Sequence, residues 1–188
     1  MKGRSRIWCA LIWGAQGCSS AYEGDSIPVT GPTSENFGKV AQTLDYFCGN
    51  LACHGSTFRN LRLYGDQGRR LDAKDIPCGV PTTPDEVQAD YRALVSLEPE
   101  IMAAVVASDG THPERLTLVR KARGLEKHTG GTVFRDGTDQ TACVASCKAD
   151  RGCSAACYGD RCLVSWIAGA VDVSACSTSL PETRCNPL

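Results

Sequence analysis

From residue 37 onward, apolar side chains recur at helical spacing. Phe37, Val40, Ala41, Leu44, Phe47 and Cys48 fall three and four residues apart and form one stripe. Thr33 or Ser34 is the expected cap at the start of this helix, and Gly49-Asn50 is a stop signal at its end. Thr83-Pro84-Asp85-Glu86 combines a capping box with a proline in the first turn, which predicts a helix turning Val87, Tyr91, Leu94 and Val95 inward. Glu98-Pro99-Glu100 opens a further helix through IMAAVVASD. The stretch from Gly55 to Pro81 carries no such period and is predicted to be loop-rich. After Asp109-Gly110, the segment PERLTLVRKARGLEKHTGGTVF reads as a short structured element running into a glycine-rich turn at 129–131. CLVSWIAGA, residues 162–170, is the last helix predicted. The expected class is mainly α with long loops.

The N-terminal pattern is of another kind. Lys2, Arg4 and Arg6 precede a short apolar run from Ile7 to Ala15. A bilayer-spanning helix needs roughly 20 apolar residues, so residues 1–17 are expected to be a signal peptide. Ala15-Gln16-Gly17-Cys18, followed by Ser19-Ser20, resembles the lipobox of bacterial lipoproteins, although Ala15 stands where Leu is usual. That resemblance implies cleavage before Cys18 and a lipid on its side chain, and so an exported protein of the periplasm or outer membrane. An ordinary signal peptide cleaved nearby is the other reading. Residues 18–33, small, polar and broken by Pro28, Gly31 and Pro32, are expected to be a tether, with one domain over 34–188.

Composition narrows the chemistry. Setting aside Cys9 and Cys18 leaves ten of the 12 cysteines, an even number, as disulfide-bonded exported chains have. Without Lys2, Arg4 and Arg6, 17 basic residues face 21 acidic ones, a net charge of −4. That balance excludes a nucleic-acid partner and a basic membrane-binding surface; contact with a membrane is expected through the lipid. Five cysteines (Cys143, Cys147, Cys153, Cys157 and Cys162) crowd a disulfide-rich C-terminal insert at about 139–162. Its two C-x3-C pairs each lie on one helix face and are predicted to staple a helical hairpin by crossed disulfides. With Cys78, Cys176 and Cys185 they make eight cysteines and four expected bridges.

One string could carry a cofactor: Cys48-Gly-Asn-Leu-Ala-Cys53-His54-Gly55. Attachment of a c-type haem requires two thiols for the vinyl groups and a histidine directly after the second thiol, to ligate the iron. The usual gap between the thiols is two residues, and here it is four. In a continuous helix, cysteines five apart would lie about 140° apart, so the chain must bulge at Gly49-Asn50 for both thiols to face one way. The same bulge would permit a Cys48–Cys53 disulfide. Zinc held by Cys48, Cys53, His54 and one more ligand is a third possibility.

The order of short motifs separates these readings. CHG, then NLRLYG, then PERLTLVRKARGLEKHTGG, then a helix containing WIAGA resembles exported bacterial cytochrome-c-like domains, over roughly residues 34–135 and 160–171. The resemblance implies a cytochrome-c-like helical fold and a covalent haem c. Cys48 and Cys53 would be the attachment residues, His54 the proximal iron ligand and His128 a candidate distal ligand. It implies a monohaem electron carrier, not an enzyme, with an unidentified redox protein as partner. Outside the signal peptide there are three histidines and one methionine. Met102, mid-helix among apolar residues, reads as core filler, and His112 as a surface-turn residue. His128 stands before Thr129-Gly130-Gly131, where glycines let the backbone approach a flat ring. The alternative to an electron carrier is a haem-free, disulfide-stabilised lipoprotein serving as a binding or structural module.

Overall fold

The computed structural model describes residues 30–181; the expected signal peptide, Cys18, most of the expected tether and Cys185 lie outside the described residues. Among these residues the chain is mainly helical, with no strand. It forms seven α-helices: α1 Phe37–Cys48, α2 Pro84–Val95, α3 Pro99–Val106, α4 Thr117–Ala122, α5 Gln140–Ser146, α6 Arg151–Ile167 and α7 Val173–Thr178. A 3-10 turn at Pro113–Arg115 precedes α4.

α6 is the longest helix, and α1, α3, α5 and α7 all pack on it. Its Cys162, Leu163, Trp166 and Ile167 are fully buried with Phe37, Val40, Ala41 and Leu44 of α1. Phe37 lies 4.8 Å from Trp166 and 5.3 Å from Tyr91, ring centre to ring centre, which locks α1, α2 and α6 at one point. The polar tips of both partners reach the chain ahead of α1. The Trp166 indole donates to the Thr33 carbonyl at 2.8 Å and the Tyr91 hydroxyl to that of Pro32 at 2.7 Å. The chain is therefore already bound to the body at Pro32.

These ties alter the start of α1. Neither Thr33 nor Ser34 caps it; Asn36 precedes it at φ 57° with no side-chain cap, and the Thr33 hydroxyl accepts from the Glu35 amide instead. α2 begins as its sequence signals, with Thr83 and Glu86 exchanging both bonds of a capping box and Pro84 in the first turn. α6 starts eleven residues before CLVSWIAGA, inside the cysteine-rich stretch. The second half of that insert is thus the front of a core helix. α7 was not signalled by periodicity; its Asp172 caps the Ala175 amide, and Cys176 bonds back to Cys162.

Cys143–Cys157 and Cys147–Cys153 join α5 to the first turns of α6, with Cα separations of 6.0 and 5.5 Å. The two C-x3-C pairs thus staple a helical hairpin, by nested and not crossed bridges, because antiparallel helices set the outermost cysteines opposite each other. Arg123, at the end of α4, donates to both oxygens of the buried Asp160 on α6, at 2.8 and 2.6 Å.

Two further buried carboxyls, Asp45 on α1 and Asp90 on α2, have no ion pair with a cation among the described residues. Burial pushes Asp45 up to about 7, with Asp66 and Glu86 adding repulsion; burial, with Asp45 and Glu86 nearby, pushes Asp90 up to about 8. The native state then keeps protons that the unfolded chain sheds near pH 4. Their contribution to stability should be fullest below that point and decline as pH rises to about 8. D90N should remove its share of the slope, so its stability relative to wild type should rise between about pH 5 and about pH 8.5. Urea denaturation at the two pH values measures it; an unchanged difference would show that Asp90 ionises normally in the fold.

Candidate functional site

The site forms where α1 runs out. α1 ends at Cys48, and Gly49 stops it with its amide on the Asp45 carbonyl. Asn50 then organises a tight reversal: its side-chain oxygen accepts from the amides of Ala52 and Cys53, each at 3.1 Å. The His54 amide returns to the Cys48 carbonyl at 2.9 Å. Gly55 is buried against this reversal, and a Cβ there would fall on the Gly49 carbonyl oxygen. The four-residue gap is thus taken up in a hydrogen-bonded bulge, and Cys48, Cys53 and His54 line one cavity.

That cavity, of about 550 Å³, is walled by Leu44 of α1, by Leu61 and Leu63 beyond the motif, and by Leu118 and Ala122 of α4. Val133 and the turn His128-Thr129-Gly130 close the other side. The volume is that of a small-molecule or cofactor pocket. Cations Arg59, Lys121 and Lys127 line it, with Glu98 as the one acid. Glu98 is engaged, accepting from the Thr117 amide and hydroxyl at 2.7 and 2.8 Å.

His54 and His128 face each other across the cavity, with ring centres 6.0 Å apart and planes inclined by 23°. Both rings are pinned through Nδ1, His54 to the Leu61 carbonyl at 3.0 Å and His128 to that of Gly131 at 3.1 Å. A carbonyl can only accept, so each Nδ1 carries a proton, which leaves Nε2 as the ligating nitrogen of the neutral ring; this is the usual support for a metal-ligating histidine. Desolvation, followed by the nearby His128, Arg59 and Lys121, lowers the His54 pKa and favours the neutral, ligating form; the Leu61 hydrogen bond opposes this only in part.

Cys48 and Cys53 are the two free cysteines among the described residues. Cys78 and the six cysteines of the three bridges are all disulfide-bonded. Burial, then the nearness of Cys53 and Asp45, pushes the Cys48 thiol up to about 12. Zinc has less to hold it: no group of three or more His, Cys, Asp or Glu side chains converges for a metal among the described residues. A haem iron asks the protein for only one or two ligands, and this donor set suits one.

The remaining candidates sit elsewhere. Met102 is buried in the core and does not line the cavity. His112 is exposed on its turn, 3.1 Å from Glu114. Sequence reasoning missed the cavity's cations, whose positions carry no local signal. The chain matches no protein-family model, no curated protein and no solved structure.

The two oxidation states can be mapped directly. Alkylating the unfolded, unreduced apo-protein should label Cys48 and Cys53 and leave Cys143, Cys147, Cys153, Cys157, Cys162 and Cys176 unlabelled. Peptide mapping by mass spectrometry reads the result, and label on the second group would break the assignment.

Proposed function

We propose that this protein is a c-type monohaem electron carrier. In this reading haem is attached through Cys48 and Cys53, with His54 as proximal and His128 as distal ligand of the iron. The observation that carries the reading is a contrast within one molecule. The only free thiols among the described residues, and the only pair of facing histidines, line the same cavity, while every other described cysteine is oxidised. A disulfide-forming environment leaves two thiols unbridged most readily where something else consumes them.

When bound, the haem supplies reversible one-electron transfer. The chain supplies the rest. His54 and His128 offer imidazoles oriented by backbone carbonyls. Leu44, Leu61, Leu63 and Val133 keep much of the wall apolar, which excludes water and tunes the potential. Arg59, Lys121 and Lys127 supply positive charge for the anionic edge of the group.

The carrier is read as an exported lipoprotein of the periplasm or outer membrane. It would be held by a lipid on Cys18 and pass electrons to or from another redox protein. No helix among the described residues is long and apolar enough to cross a membrane, and the lipid would supply the anchorage. The haem-free binding module remains the competing function, and colour separates the two.

Made in a host with a cytochrome c maturation system, the reduced protein should show sharp visible bands that survive denaturation. H128A should keep the haem and turn at least partly high-spin, while H112A and M102A should leave the spectrum unchanged. H128M should raise the reduction potential, because thioether ligation favours ferrous iron. A colourless protein at normal yield favours the binding module. For the anchor, mass spectrometry of the mature N-terminus should find an acylated Cys18, and an unacylated terminus elsewhere removes the lipoprotein reading.

A further inference from the structure

The two cleft histidines are held very differently. His54 is fixed at three points: its amide to Cys48, its carbonyl to the Leu63 amide at 2.9 Å, and its ring to Leu61. Each tie reaches a different part of the wall. His128 sits in the middle of the exposed loop 125–131. Its ring bonds to Gly131, and the Gly131 amide bonds back to the His128 carbonyl at 3.0 Å. Both contacts lie inside the turn and would travel with it.

The loop itself is a flap with both ends at one place. On the near side, Leu125 donates to the Arg120 carbonyl at 2.9 Å, and Glu126 pairs with Arg120 and Lys121 at 3.1 and 3.6 Å. On the far side, the amides of Val133 and Phe134 both donate to the Ala122 carbonyl at 2.8 and 2.9 Å. All these ties land on residues 120–122. Gly124 and Gly131 stand near the two ends at φ 71° and 72°, conformations that suit glycine. A side chain at Gly131 would meet nothing within 4 Å. No hydrogen bond or ion pair among the described residues joins 125–131 to the opposite wall.

From this asymmetry we propose that the distal position is exchangeable, and that a small neutral diatomic ligand such as carbon monoxide or nitric oxide displaces His128 at reduced iron. The inference rests on the haem reading above. The loop can swing outward without breaking a bond to the far wall, so across the cavity His128 would be retained only by its bond to the iron, with the flap's own ties to residues 120–122 setting how readily it opens. The exchange is balanced as written: one nitrogen–iron bond breaks, one bond from the ligand forms, and no electron or proton changes hands. A neutral ligand suits the apolar wall of Leu44, Leu61, Leu63 and Val133. The protein would then bind a gas at a site that otherwise serves electron transfer.

The test uses the full-length, haem-loaded protein, reduced without oxygen and mixed with carbon monoxide. The wild-type spectrum should convert to that of a carbon monoxide complex, at a rate that levels off as the gas concentration rises, because departure of His128 becomes limiting. In H128A the rate should instead stay proportional to the gas concentration. If the open state is a minor one populated at about 0.1–10%, H128A should also raise the apparent affinity about 10- to 1000-fold. Should H128A fail to fold, E126Q, which loosens the flap without touching His128, should raise the wild-type plateau roughly twofold. A coloured wild-type protein that forms no complex in gas-saturated buffer overturns the inference while leaving the electron carrier standing. So does one whose rate shows no plateau. A colourless protein overturns both.

Discussion

Three buried carboxylates hold the long connection between α1 and α2, and the site depends on them. Residues 49–83 contain no helix and no strand, only an isolated bridge between Tyr64 and Arg69. Buried backbone amides must nonetheless find acceptors. Asp45 of α1 takes the Gln67 amide at 3.0 Å, and Asp90 of α2 takes that of Tyr64 at 2.8 Å. Glu86 takes the amides of Leu71 and Thr83 at 2.9 and 2.8 Å and binds Arg70 through both oxygens. Arg70 in turn donates to the carbonyls of Val80 and Pro81. Helix-borne acids do for this loop what a strand ladder would do elsewhere. They fix Leu61 and Leu63 indirectly, and so the carbonyl and amide that hold His54.

The three acids are not in the same state. Glu86 has Arg70 against it, so its carboxyl stays below the ordinary range despite the opposing effect of burial. Among the described residues Asp45 and Asp90 are met by amides and other acids, and burial wins. A protonated carboxyl still accepts an amide hydrogen bond through its carbonyl oxygen, so the loop is held in either state, less favourably once both acids ionise.

How much of this was legible follows from the range of each signal. The α1 stripe and the α2 capping box are local, and both appear as read from Phe37–Cys48 and Thr83–Glu86. The buried acids were not legible: in a helical pattern Asp45, Glu86 and Asp90 look like solvent-facing positions, and only the tertiary loop gives them partners. α7 was missed because VSACST carries Ser, Thr and Val in place of strong helix formers; a cap and a bridge supply what propensity lacks. At the site, the Cys48-to-Gly55 string is contiguous and could be found. His128 comes from a distant segment, and its place opposite His54 is set by α4, which the Arg123–Asp160 pair fastens to α6. No sequence spacing encodes that Nδ1 of each ring meets a carbonyl.

Among the described residues, Cys48 and Cys53 are free where every other cysteine is bridged, and Cys48 stands where α1 ends. Thiol–disulfide exchange needs a thiolate, and burial pushes the Cys48 thiol up to about 12, so almost none is present at neutral pH. Asp45 lies one helical turn back and works in the same direction whenever it is ionised. Desolvation at the cavity wall thus makes Cys48 a weak source of thiolate in the folded protein. Cys143, Cys147, Cys153 and Cys157 lie instead on a hairpin whose helices bring them to bridging distance directly. The division between bridged and free cysteines does not follow burial, since Cys157, Cys162 and Cys176 are fully buried and bridged while Cys48 and Cys53 are half-buried and free. It follows which cysteines the helices bring to bridging distance, and both free thiols line the cavity that also holds His54 and His128.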